Sequence, residues 1–269
     1  MKSAPHPRTP TPRVAVVFAA TGAISRGVAR AFAREGSTVW LAGRDQDRTD
    51  AVAAELRGDH PEATVQAACV DATDAGAVGA FLDRVLAEAG RIDAVFNGIG
   101  GRPAELAYPK PIVETSVDDF LLPLARIAGS QFLTAREAGR RMAAQPGGGG
   151  AIVTLSATLS GMTPRNMAGI TATCGAVEAM TRALAGDFGA HGIRVNCVRG
   201  SAMLETRTIQ ETFAGQSAIM GEPSPMAPPP LGRPITVDET AATAVFLASP
   251  AASGITGQVV TVCAGQFVG

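Results

Sequence analysis

The stretch ITATCGAVEAMTRALAGDFGAHGIRVNCV, residues 170–198, reads as a long helix, a glycine-bounded turn and a short apolar strand. Val177, Met180, Leu184 and Phe188 recur at helical spacing, so this face is predicted to pack inward, with a twin helix across a subunit interface as a further partner. Upstream, AIVTLS (151–156) is another apolar run, set off by Pro146 and GGGG (147–150) from a helical region at 117–144. Downstream come a helix at 237–248 and QVVTV (258–262). The first half keeps the same rhythm. The strands VAVVF (14–18), STVWLAG (37–43), TVQAACV (64–70) and IDAVFN (92–97) alternate with helical patterns that end at Gly36, span 47–56 and span 74–89. Strands apolar on both faces and separated by helices predict one α/β domain, a doubly wound parallel sheet covered on both sides.

Ligands of such sheets bind beyond the carboxyl ends of the strands. That directs attention to the loops 19–25, 43–47, 71–73, 97–112, 156–170 and 199–233. Residues 200–234 are expected to form a substrate-side loop. Its segment GEPSPMAPPPLGRP (221–234) is either a cover over the strand ends or a plain connector. Residues 1–12 carry four prolines and are expected to be a disordered tail, with the folded domain spanning 13–269.

A net charge of −1 and a pI near 6.3 leave no field for a phosphate backbone, which argues against a nucleic-acid partner. Cys69, Cys174, Cys197 and Cys263 form no C-x-x-C pair and no signal sequence is evident, so reduced thiols and a cytoplasmic location are expected. No uncharged run approaches the ~18–20 residues of a membrane span. His6, His60 and His191 lie far apart, so no metal site is expected.

Several stretches together resemble the short-chain dehydrogenase/reductase superfamily. They are VAVVFAATGAISRGVARAFAREG, LAGRD, VDATD, IDAVFNGIGG, GAIVTLSATLSG, AVEAMTRALAGDFGAHGIRVNCV and GRPITVDETAATAVFLASPAASGITGQVVTVCAG. They run in the family's order from residue 13 to the end. The resemblance implies a Rossmann-type sheet of about seven strands, a nicotinamide cofactor, and a homo-dimer or homo-tetramer. The cofactor turn implied by the family is T-G-x-x-x-G-x-G, and this chain has Phe18, Ala19, Ala23 and Ser25 at its defining positions. Thr21, Gly22 and Ile24 belong to the same turn, with Gly22 one position from a lost glycine. Glycines at such a turn let backbone amides approach a pyrophosphate at a helix N-terminus. At the end of the second strand Gly43 leaves space and Arg44 offers a fork for a ribose 2′-phosphate, which points to NADP(H). Asp71 matches the family's adenine-contacting aspartate, and Asn97 and Gly98 stand where N-N-A-G runs along the nucleotide.

The family's Asn, Ser, Tyr and Lys fall on Ile127, Ala157, Ile170 and Cys174. Neither Ile nor Ala can move a proton, and a thiol supplies no fixed cation. Candidates for relocated chemistry are Tyr108, which shares AYPKP with Lys110, and Ser156, which lies near Thr158 and Ser160. Cys174 reads either as a nucleophile or as a small buried thiol. Three functions stay open at this point. The first is an atypical oxidoreductase-like protein that acts on or binds a small, largely apolar molecule, with NADP(H), and lacks the Tyr/Lys relay. The second is a non-catalytic binding or assembly protein on the same fold. The third, an ordinary NADP-dependent ketone reductase or alcohol dehydrogenase, lacks a visible proton donor.

Overall fold

A computed structural model describes residues 13–221 and 228–267; the tail 1–12 and part of the Pro-rich segment lie outside the described residues. The seven strands are β1 (Val14–Phe18), β2 (Thr38–Gly43), β3 (Val65–Cys69), β4 (Ala94–Asn97), β5 (Gly150–Ala157), β6 (Ile193–Gly200) and β7 (Val259–Val262). The helices are α1 (Ala23–Arg34), α2 (Gln46–Asp59), α3 (Ala75–Ala89), α4 (Val117–Pro123), α5 (Gly129–Ala144), α6 (Ala168–Gly189), α7 (Arg207–Met220) and α8 (Val237–Ala248). The strands pair in parallel in the order β3-β2-β1-β4-β5-β6-β7, so the order in which strands are added switches sides between β1 and β4.

Alternate residues of each strand feed two separate cores. Ala15, Val17, Val39, Leu41, Phe96 and Val153 pack with α1, α2 and α8 on one face. Val16, Trp40, Val95, Ile152 and Val195 pack with α3, α5 and α6 on the other. Burial on both faces is why the strands read as continuous apolar runs rather than alternating ones. Val177 and Leu184 of α6 are buried, with Met180 and Phe188 packed beside them. The Phe188 ring lies so close to Gly139 of α5 that any β-carbon there would meet it at 2.3 Å.

The helical region 117–144 is one rod with a defect. Ser116 caps α4 through a reciprocal capping box with Asp119, and a π-type turn at Leu124–Ala128 joins α4 to α5. Pro123, which lacks an N–H, precedes that turn, and Ile127 sits within it. Residues 200–234 need a correction: they are not all loop, because RTIQETFAGQSAIM forms α7. Only Thr212 of α7 is buried, so the helix shows little of the inward apolar stripe that makes helices legible in sequence.

Candidate functional site

The carboxyl ends of the strands carry two unlike regions. The first lies over β1, β2 and β3. Ala19 turns the chain out of β1 at φ +54°, the left-handed region a glycine enters freely, and its carbonyl accepts from Gly22 N at 2.9 Å. Gly22 is the N-cap of α1 and offers no side-chain cap, so the first amides of the helix face an exposed turn. Ser25, at the position of the third family glycine, is buried and donates to Phe18 O at 3.0 Å. Its hydroxyl occupies the place a β-carbon on Gly98 would take, at 2.1 Å. Gly98 therefore makes room for Ser25.

Arg44 and Asp71 stand exposed at neighbouring strand ends. The Thr73 backbone amide at 2.9 Å, then its hydroxyl at 2.7 Å, and more weakly the Arg44 charge, hold the Asp71 carboxyl below its ordinary range. Gly43 corrects an expectation: it leaves no space for a ligand. A β-carbon there would meet the Thr49 hydroxyl of α2 at 2.4 Å and the Thr21 methyl at 3.5 Å, so helix packing requires the glycine. Asn97 is fully buried, donates to Gln131 O at 3.3 Å, and has no partner for its Oδ1 among the described residues. Ile24 is half-buried and packs against Met203, Ile235 and Ala264.

The second region lies at the ends of β4 and β5 beside α6. Ile127 and Ile170, two positions of the family tetrad, come together with Leu106, Tyr108 and Met167 in one apolar cluster, each residue 2–9 % exposed. Tyr108 is buried, and that burial pushes its phenol up to about 12. Thr212 Oγ1 of α7 donates to Thr208 O at 2.7 Å. Lys110 turns elsewhere, to Asp119 at 2.7 Å, so the Tyr108/Lys110 pair is not assembled.

Behind this cluster is a polar knot that sequence reasoning missed. Ser156 and Ser160 donate to Glu178 Oε1 at 2.9 and 2.6 Å. Arg199 approaches Glu178 Oε2 at 3.5 Å, donates to Thr261 at 2.9 Å, and lies over the Phe267 ring at 4.6 Å. The sheet register makes this possible, because Ser156, Arg199 and Thr261 are successive partners across β5, β6 and β7. An acid one helical turn after Cys174, on a helix with a buried face, was the available signal for Glu178. Cys174 is buried against Ala157 and Ser156, and burial pushes its thiol up, away from a reactive thiolate. Ala157, at the family's serine position, offers no hydroxyl there.

Among the described residues no group of three or more His, Cys, Asp or Glu side chains could hold a metal, and no helix is long and apolar enough to cross a membrane.

The fold and the two regions define a Rossmann-type oxidoreductase framework, and comparison with known proteins makes the class specific. A family model described as enoyl-(acyl carrier protein) reductase matches residues 19–266. D-threitol dehydrogenase of Mycolicibacterium smegmatis is 33% identical over 247 residues, covering 91% of this chain and 89% of the relative. Cis-4-hydroxycyclohexanecarboxylate dehydrogenase of Sinomonas cyclohexanicum is 32% identical over 255 residues, covering 94% and 96%. A 7α-hydroxysteroid dehydrogenase solved with NADH and 7-oxo glycochenodeoxycholic acid superposes with a TM-score of 0.81 at 26% identity, covering 94% of this chain and 93% of that one. The chain belongs to the short-chain dehydrogenase/reductase family.

Proposed function

We propose that this protein is an atypical oxidoreductase-like member of its family that binds NADP(H) and a small, largely apolar molecule without the Tyr/Lys proton relay. The observation that carries the reading is the turn at Ala19. An alanine held at φ +54° costs on the order of 1 kcal/mol relative to a glycine, yet the turn keeps the conformation that opens the α1 amides. Retaining that shape after the glycine is lost supports a nucleotide at the turn. Thr21, Gly22 and the first α1 amides would face the pyrophosphate, Arg44 the 2′-phosphate and Asp71 the adenine. The bound dinucleotide supplies hydride chemistry. At the reacting end the chain contributes shape and exclusion of water through Ile127, Ile170 and Met167, with Ile170 and Cys174 where the family resemblance places its acid and its lysine.

One observation favours a second reading. The apolar cluster fills the region around the tetrad positions, as a binding or assembly protein without catalysis would allow. Calorimetric titration of cofactor-free protein with NADPH and with NADH separates the two. NADPH-selective binding is expected; no heat and no thermal stabilisation with either nucleotide defeats the first reading and leaves the second. The family resemblance extends the proposal to a cytoplasmic homo-dimer or homo-tetramer, for which light scattering of the eluted protein is the test.

A further inference from the structure

We propose that the protein carries a second ligand site at the end of the sheet opposite the nucleotide edge: a groove that takes a neutral six-membered ring bearing several hydroxyls. The site is independent of the nucleotide and apolar-ligand readings above.

The groove is a cavity of about 280 Å³ over the amino ends of β2 and β3. Thr38, Trp40, Thr64 and Gln66 line it from the strands, Glu88 and Arg91 from the end of α3 and the turn after it. Because α3 stops at Ala89, these strand starts are left partly uncovered: Thr38 and Gln66 are half-buried and Thr64 is exposed.

Sheet register sets the lining groups out as a lattice. Trp40 pairs with Gln66 across β2 and β3, and Thr38 precedes the one by two residues as Thr64 precedes the other. Neighbouring strands lie about 4.8 Å apart and alternate residues about 6.6 Å apart, so the four stand at the corners of a rectangle the size of a hydroxylated ring. The side chains of Thr38, Thr64 and Gln66 make no hydrogen bond among the described residues, so each keeps both a donor and an acceptor to offer. Trp40 adds an indole N–H that is buried and has no acceptor among the described residues. Arg84 lies over that indole, 5.2 Å from the ring centre, but its side chain is 47 % exposed and is tethered by the exposed Glu88. An outward turn of Arg84, still paired with Glu88, uncovers the indole for a ligand hydroxyl.

The charges beside the groove are already paired, Glu88 with Arg84 at 2.8 Å and Arg91 with Asp93 at 2.6 Å. Neutral groups that both donate and accept select an uncharged ligand that does the same. A hydroxylated ring fits, whereas a phosphate or carboxylate would find no unpaired cation. A cyclitol and a monosaccharide share this chemistry.

The test exploits Trp40, the single tryptophan of the chain, whose indole N–H gives one cross-peak in a nitrogen-correlated NMR spectrum. myo-Inositol and methyl α-D-glucopyranoside are titrated separately into the full chain, with cyclohexanol as a ring carrying a single hydroxyl. At least one of the first two is expected to move the indole peak downfield and saturate it, with a Kd of about 1 mM, the scale of three to four net hydrogen bonds. The Gln66 side-chain amide moves with it, and cyclohexanol leaves both in place. Gln66→Ala and Thr38→Val each weaken the ring by about fivefold, while amide peaks away from the groove keep their wild-type positions. Saturation by myo-inositol, by the glucoside or by both supports the proposal and says which source of the ring the groove accepts. An indole peak that neither ring moves overturns it. So does a shift by cyclohexanol as large as theirs, or binding that is unchanged in both variants, which would place the ring elsewhere on the molecule.

Discussion

The proposed nucleotide edge and the region around α6 sit at the same ends of one sheet, and the proposed function reads them as departing from the family in opposite physical senses. At the edge, the residues changed and the geometry stayed: Ala19 keeps the left-handed turn, and Ser25 is seated because Gly98 leaves it room. Around α6, Ile127 and Ile170 pack together in an apolar cluster, and the proposed function reads them as standing where the family resemblance implies an amide and a phenol. Backbone-mediated binding tolerates side-chain replacement as long as the chain path survives. Proton transfer does not, because it depends on a specific ionisable atom. Loss of the tetrad therefore says little about loss of the nucleotide, and each region calls for its own experiment.

The largest expected effect lies behind the tetrad region. Glu178→Ala removes the acceptor of two serines and the carboxylate beside Arg199, whose side chains are about nine-tenths buried. A loss of about 3 kcal/mol is expected in the urea unfolding free energy. A loss below about 1 kcal/mol would mean that the knot does not support the α6 frame. Next comes Tyr108. Its folded pKa of about 12 lies above the ordinary 10.0, so it contributes stability that is complete below pH 10 and lost as pH rises through 12. The expected loss is about 2 to 3 kcal/mol, and phenolate absorbance of this single tyrosine should show the late ionisation. A midpoint near 10 would place the phenol in water and undo the contrast between the two regions.

Smaller effects sharpen the nucleotide edge. Arg44→Ala should weaken NADPH by about tenfold, the scale of one charge-assisted contact, and leave NADH nearly unchanged. Equal weakening of both would assign Arg44 to the edge's general field instead. Smallest is Ala19→Gly, expected to raise stability by about 0.5–1 kcal/mol through relief of the positive φ. It should also tighten NADPH, since a β-carbon leaves the turn. Stabilisation without tighter binding would separate the turn's strain from its use.

The strands were legible because burial on both faces leaves a continuous apolar run, and α6 was legible because Val177, Leu184 and their neighbours repeat with the helical period. Less visible was α7, whose single buried residue left little period to read. Gly43 was misread because its reason is Thr49, a side chain reaching in from α2.

By itself, then, the sequence determined the order of elements and the two-sided sheet, which follow from local periodicity and residue identity. Only the tertiary structure decided that Tyr108 meets Ile170, that Ser25 fits against Gly98, and that Glu178 gathers Ser156, Ser160 and Arg199. Those meetings depend on sheet register and helix placement, which bring together residues far apart in the chain, and no local pattern encodes a distance between them.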